Sequence, residues 1–533
     1  MNNFDTFSFP SRRSNVMARH GMVATSQPLA AQAGLDVLQA GGNAVDAAVA
    51  TAATLCVVEP TSTGVGGDAF ALIWWADEGR LYGLNASGPA PAALTAAWIR
   101  DQGYDAVPAL GPIPVTVPGS LRGWQQALDR FGTMELATLL QRAIHYAANG
   151  FPVSELIARG WQRSTEKMSR HPDSRRVWLP GGRAPRPGEI FCNPEFAATL
   201  RTVAEAGVDA FYEGEIGRQI AQTVQEAGGV LAQEDLRRYR AEWVEPIAAS
   251  YRDGFTFYEI PPNGQGLTAL LALNIARGFD LPALPYAAPE RLHILVEAIK
   301  LAFADAHAYI ADPRHAHIPL DGLLSDAYTA RRRALIAADR ALDPTPGRPS
   351  PHGDTVYLAA ADERGNMVSW IQSLYMGFGS GLTAGTTGVQ LQNRGANFSL
   401  EEGHPNLAGP GKRPYHTIIP GFITRGGASW AAFGVMGGFM QPQGHLQVGS
   451  NLTDYGMDPQ TALDAPRFQW LHDKTVALED AFPAQVREAL AARGHRLAGS
   501  SHYGGGQIIV RDPENGVYIA GSEPRKDGAA VGW

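Results

Sequence analysis

A layered α/β sandwich is the fold this sequence predicts, and three observations predict it. The chain has 533 residues, beyond the size at which a single core stops growing, so it must form several layers or domains. Its middle, from about 120 to 340, places apolar residues at helical spacing, with clear helices at Leu121 to Phe131, Leu136 to Asn149 and Leu292 to Ala311. After residue 355 the pattern turns to short apolar runs bounded by turn residues, which read as strands. Helices followed by strands with interspersed helices bury their apolar faces by stacking in layers.

The elements follow in order. Met22 to Thr25 is a short strand. Pro28 suits a first helical turn, Leu29, Ala33, Val37 and Leu38 continue at helical spacing, and Gly41-Gly42 ends that helix. Ala44 to Val58 is small or apolar throughout and reads as a helix buried on most sides. The run Thr63 to Asp68 is a glycine-built turn. A strand, Ala69 to Trp75, follows it, so it is not a dinucleotide-binding fingerprint, which opens a helix. His171 to Gly188 reads as a surface loop. Asp343 to Asp354 carries Pro344, Pro346, Pro349 and Pro351, which exclude helix and central strand and predict an exposed linker of the kind that is cut.

Thr355 to Ala361 and Met367 to Leu374, joined by Asp362 to Asn366, form a β-hairpin. Further strands are expected near Gly388 to Leu391, Thr417 to Thr424, Ser429 to Val435, Thr475 to Leu478, Gly506 to Val510 and Val517 to Ala520. Helices are expected at Gln443 to Tyr455 and Pro483 to Arg493.

Composition narrows the function. With 45% hydrophobic and 18% charged residues the chain can bury a core, which rules out intrinsic disorder. The net charge of -8 and the lack of a basic tract argue against nucleic acid or an anionic membrane as partner. Two cysteines, Cys56 and Cys192, exclude a disulfide scaffold and a cysteine-rich zinc site. No apolar run is long enough to span a bilayer, and residues 1–22 lack a hydrophobic signal core, so a cytoplasmic protein is expected. His293, Glu297, Asp305 and His307 share one helix without the spacing of a zinc-protease helix, and read as a solvated face. His315 and His317, near Asp312, read as loop residues. No metal or organic cofactor is expected.

One constellation carries chemistry. Thr355 starts a strand directly after the proline-rich linker. Cleavage before it would give this residue a free α-amine beside its hydroxyl. An α-amine titrates near 8 in model peptides, so it can serve as the base for its own side chain. A threonine at a strand start is by itself ordinary, because threonine favours strands. Two further features change the weighting. Ser373 lies on the return strand of the same hairpin. Gly437-Gly438 sits between a strand and a helix, where two backbone amides can face an oxyanion.

At these positions the sequence resembles the γ-glutamyltranspeptidase (glutathione hydrolase) family. The resemblance rests on Val23-Ala24-Thr25, Gly41 to Ala48, Pro261-Pro262-Asn263-Gly264-Gln265-Gly266, Thr355 with Gly365-Asn366, Phe378-Gly379-Ser380-Gly381, Gly411-Lys412-Arg413-Pro414, Gly437-Gly438 and Ala465-Pro466-Arg467-Phe468. It implies an N-terminal nucleophile hydrolase with an αββα sandwich, made as a proenzyme that cuts itself between Asp354 and Thr355. The products would be a large subunit, 1–354, and a small one, 355–533. Thr355 would attack its own preceding carbonyl and later the amide substrate. Gly437 and Gly438 would form the oxyanion hole, with Ser373 supporting Thr355. Its partners would be a small-molecule amide and its own two subunits; a homo-oligomer of the processed pair is left open.

The pattern breaks where a γ-glutamyl group would be held. Ser87 stands where the family has an arginine for the substrate α-carboxylate, and a bidentate arginine contact is not replaced by a hydroxyl. His416 and Thr417 replace paired serines, Asn397 replaces the acid that meets the substrate ammonium, and Tyr375 replaces an asparagine. The loop Phe398 to Gly409 is short, so a lid is expected to be missing. Arg394 reads either as a new contact for a substrate carboxylate or as a solvated surface residue. His416 reads as packing or contact, and the Tyr375 phenol as wall or donor. The expected activity is hydrolysis of a small carboxylate-bearing amide such as oxamate, or a glutaryl-type amide. A true γ-glutamyltransferase, or a non-catalytic metabolite-binding relative, are the alternatives.

Overall fold

The structure, a computed structural model, describes residues 13–343, 354–500 and 502–533. Most of the proline-rich linker expected at Asp343 to Asp354 therefore lies outside the described residues. Two antiparallel seven-stranded sheets form the centre. Numbered in chain order, their strands are β1 (Val16–Ala18), β2 (Gly21–Thr25), β3 (Asp68–Trp75), β4 (Arg80–Ala86), β5 (Glu242–Val244), β6 (Ile247–Ser250) and β7 (Phe255–Glu259). After the linker come β8 (Asp354–Asp362), β9 (Met367–Tyr375), β10 (Gly421–Arg425), β11 (Ala428–Met436), β12 (Gly505–Arg511), β13 (Tyr518–Ser522) and β14 (Ala529–Gly532). One sheet runs β14-β2-β8-β9-β3-β4-β5 and the other β1-β13-β12-β11-β10-β7-β6. Both mix strands from before and after Thr355, so the two segments do not fold as separate units.

Side-chain alternation on β8 fixes the layering. Val356, Leu358 and Ala360 face a core shared with α1 (Pro28–Gln39), α2 (Ala44–Val58) and α3 (Ser120–Phe131). Tyr357, Ala359 and Ala361 face the second sheet, meeting Phe422, Ala432, Met436 and Ile509. The far side of that sheet is covered by α5 (Gly266–Ala276), α6 (Pro289–Tyr309) and α7 (Met440–Thr453). Helices, sheet, sheet, helices: this is the αββα sandwich. Helix α2 is buried along its whole length, and its Asp46 is used locally. It closes a capping box with Asn43 and accepts from Thr133 and Met134.

Three sequence expectations need correction. Residues 388–391 form no strand; only a single bridge, Thr383 to Gln390, is made there, and Gly385 and Gly388 both adopt positive φ. The stretch expected as a surface loop contains a helix, Pro172–Trp178, whose Trp178 is buried against Trp161 and Phe378. The presumed solvated face of α6 is turned inward. His293, Glu297 and Asp305 are all buried and His307 is half-buried. Among the described residues, no helix is long and apolar enough to cross a membrane.

The sheets pack closely where Gly434 faces Tyr357. A Cβ on Gly434 would lie 2.4 Å from the tyrosine ring. Gly434→Ala is therefore expected to cost about 1–3 kcal/mol through overpacking, read as a lower denaturant midpoint without a change in slope.

Candidate active site

Thr355 is the second residue of β8, and the same alternation that turns Tyr357 inward turns Thr355 toward the inter-sheet space. On β9, Met367, Ser369, Ile371 and Ser373 share that face. The register between the two strands shifts between Asp354 and Val356, a bulge at the end of the ladder. Thr355 Oγ1 lies 3.3 Å from Ser373 Oγ, and both side chains are buried. Ser373 Oγ also accepts the Tyr375 backbone N–H at 2.7 Å. A residue that sequence reasoning missed, Gln441, donates to Thr355 Oγ1 from α7 at 3.4 Å, while its carbonyl oxygen accepts from Ile419 N. Its only sequence signal is its place three residues after Gly438.

Gly437 and Gly438 follow β11 and lead into α7. Both adopt positive φ, 126° and 60°, which any side chain would strain. Their carbonyls are occupied: Gly437 O by Met440 N, and Gly438 O by Gln441 N and by Gln265 Nε2 at 2.9 Å. Among the described residues, neither glycine N–H has a protein acceptor, so two donors remain available. A cleft of about 720 Å³ opens over Thr355 and Gly437. Its other walls include Met376, Gly377, Gly504 and a helix, α4 (Glu155–Arg163), that sequence reasoning did not single out.

The residues expected to contact substrate gather behind the nucleophile instead of lining that cleft. Arg394 is fully buried, which removes the solvated alternative. It donates to Thr417 Oγ1 at 2.6 Å and its guanidinium lies 4.5 Å from the Tyr375 ring centre. Its Nε and one terminal nitrogen are buried without an acceptor. Burial holds its pKa down at about 10, so it stays a cation at neutral pH. His416 is buried and bonds Asp68 at 3.0 Å. Ile418 N donates to its Nδ1, which makes Nε2 the protonated nitrogen facing Asp68. Burial and the nearby Arg394 and Arg413 keep this imidazole neutral. Asp68, which also accepts from Gly88 N and Gln392 Nε2, is pushed up to about 7 by burial.

Ser87 bonds Asn85 and Asn263 and is buried. Asn397 ends the 3₁₀ turn that begins at Arg394, and its Nδ2 is buried without an acceptor. The short 398–409 segment packs Phe398, Leu400 and Ala408 onto Ala90, Leu94 and Ile99.

A second buried cluster joins His293, Glu297 and His495. Lys300 already supplies its positive charge, at 2.8 Å from Glu297. His293 bonds His495 and Ala337 O, and the Glu297–Lys300 pair grips Leu342 by both N and O. The group is a buried structural network in which His495 Nδ1 is left without a partner.

Comparison with known proteins decides the family. The γ-glutamyltranspeptidase family model matches residues 30–533. The chain belongs to that family. It is 38% identical over 530 residues to the glutathione hydrolase-like YwrD proenzyme of Bacillus subtilis, covering 97% of this chain and 99% of the relative. It is 35% identical over 537 residues to the oxamate amidohydrolase proenzyme of Klebsiella pneumoniae, covering 98% and 100%. The crystal structure of cephalosporin acylase from Bacillus halodurans superposes with a TM-score of 0.93 at 49% identity, covering 100% of this chain and 99% of that one. As a γ-glutamyltranspeptidase-family member the protein is an N-terminal nucleophile hydrolase, an enzyme acting on amide bonds.

Asp68 gives a pH prediction. Its folded pKa lies above that of an unfolded aspartate, so the folded state holds the extra proton between about pH 4 and 7, and the stability due to this group falls as pH rises across that window. Asp68→Asn should flatten this loss, measured as the difference in unfolding free energy between pH 4.5 and pH 7.5 for the two proteins.

Proposed function

We propose that the protein is a self-processing threonine amidase that hydrolyses carboxylate-bearing amides lacking the α-amino group of a γ-glutamyl substrate. The observation that carries this is Thr355 at the cleft beside Ser373 and the two available amides of Gly437 and Gly438. In the first step Thr355 Oγ1 attacks the Asp354 carbonyl, the Asp354–Thr355 amide becomes an ester, and water hydrolyses the ester. This leaves the Asp354 carboxylate on one chain, 1–354, and a free α-amine on the other, 355–533. The two remain together because they share both sheets.

In turnover the α-amine takes the hydroxyl proton as Thr355 Oγ1 attacks the substrate carbonyl. The developing oxyanion meets the N–H groups of Gly437 and Gly438, which Gln265 holds in place by bracing the Gly438 carbonyl. The proton passes to the leaving amine. Water then attacks the acyl-enzyme and releases the acid. Ser373 and Gln441 fix the threonine rotamer.

Specificity follows from the layer behind the nucleophile. Ser87 and Asn397 cannot clamp the two ends of an amino acid. Arg394 offers buried N–H groups with no acceptor, and its counter-charge, Asp68, is itself pushed by burial toward the neutral acid, so an incoming carboxylate is a fitting partner. Tyr375, His416 and Thr417 complete this wall. Oxamate and glutaryl-type amides both fit this acyl requirement, and one relative is named as an oxamate amidohydrolase. The cleft is far larger than oxamate needs, which favours an acyl-amide with a sizeable amine.

Thr355→Ala should give one uncut chain on a denaturing gel and no amidase activity; two bands would refute self-processing. Arg394→Gln should raise KM for glutaryl 4-nitroanilide about tenfold or more, the worth of a buried charge-assisted contact, and change butyryl 4-nitroanilide less. Equal effects on both substrates, or efficient glutathione hydrolysis by the unaltered protein, would sink the specificity assignment.

A further inference from the structure

Arg159 and Arg163 stand one turn apart on α4 and both line the cleft that holds Thr355. Both are exposed, and neither makes a hydrogen bond or ion pair with a carboxylate among the described residues. The neighbouring segment behaves differently. Arg170 pairs with Glu166, and Arg176 with Asp173 and Glu195. Like charges four residues apart on a helix repel, so this arginine pair is a cost to the helix that Glu155, four residues before Arg159, offsets only in part.

The carboxylates of the cleft are committed elsewhere. Glu59 accepts from Ser26 and Ser62, Glu479 is bound by Arg525, and Asp527 accepts the Leu156 N–H at the start of α4. In the cleft lining Arg159, Arg163, Lys167, Arg525 and Lys526 outnumber the carboxylates Glu59, Glu479 and Asp527, so the α4 wall presents a net positive field. The buried Arg394 is not part of that lining and stands against the Tyr375 ring. A substrate spanning Thr355 would put its acyl group toward Arg394 and its amine portion against α4.

We propose that Arg159 and Arg163 determine specificity for the amine portion of the substrate, and that this portion carries a carboxylate. The inference rests on the amidase reading above. The substrate class it names is an amide with one acid on each side of the scissile bond.

The test uses two substrates with the same acyl group, glutaryl 4-nitroanilide and glutaryl 3-carboxy-4-nitroanilide, and self-processed protein. The readout is the ratio of their kcat/KM values, from which changes common to both substrates cancel. The unaltered enzyme should favour the carboxylated anilide by about fivefold, the scale of two exposed ion pairs, and the preference should shrink in high salt. Arg159→Gln with Arg163→Gln should bring the ratio near one, and Arg159→Glu with Arg163→Glu should invert it. A ratio that is the same in all three proteins while turnover persists would overturn this inference and leave the amidase reading standing. No turnover of either anilide by processed protein would overturn both.

Discussion

Strand alternation on one hairpin is the constraint from which the site follows. Side chains on β8 and β9 point to opposite faces in turn, so placing Tyr357 and Ile371 between the sheets places Thr355 and Ser373 there too. The hydroxyls meet only because both strands end at the same edge of the sandwich, where a bulge locally shifts the register. The second sheet delivers the remaining parts at that edge. β11 is followed by Gly437-Gly438, and α7, which starts after Phe439, brings Gln441 to the threonine oxygen. A register slip of one residue on β8 would turn Thr355 into the helical core beside Val356's partners and abolish the convergence.

Behind this apparatus lies a buried charged layer that is expensive for the fold. Arg394 is desolvated, Asp68 is pushed up by burial, and His416, bonded to Asp68, is kept neutral. Packing alone does not require such a layer, because apolar residues of similar volume would fill it at lower cost. Its retention immediately behind a nucleophile is better explained by a ligand that completes it. The glutamine and asparagine around it, Gln265 and Asn263, bond backbone carbonyls from Pro414 to Gly438 and so hold the loop that carries His416 and Thr417.

Much of this was legible in the sequence where the signal was local. The hairpin from Thr355, the glycine pair between strand and helix, and the layered class all follow from neighbours in the chain. The failures came where distant residues decide. Arg394 could be read as a contact or as a surface residue, and its burial was not decidable because it depends on Tyr375, Thr417 and Asp68, the last more than three hundred positions away. His293 and Glu297 looked solvated because their partners, His495 and Ala337, arrive from other elements. Val389 and Leu391 alternate like a strand, yet the flanking glycines turn the chain away from any ladder. The α4 wall was missed for the opposite reason: an amphipathic helix with exposed arginines is unremarkable until the nucleophile is found across from it.

Specificity in this chain changes without touching the bond-breaking parts. Thr355, Ser373 and the two glycines belong to strands and a turn fixed by the sandwich, so altering them would disturb the fold itself. Ser87, Asn397 and Arg394 sit on connecting segments, where a side chain can be exchanged while the backbone bonds persist. Ser87 shows how this works. Its hydroxyl is absorbed into a network with Asn85 and Asn263, so the space of a longer cation is closed by hydrogen bonds, not left as a void. The positive charge needed for an acidic acyl group then enters from Arg394, on a different segment and from a different direction. A ligand must follow that displaced charge. An α-carboxylate held at the old position would find no cation, whereas a carboxylate at the end of an acyl chain reaches the new one, and it requires no ammonium beside it.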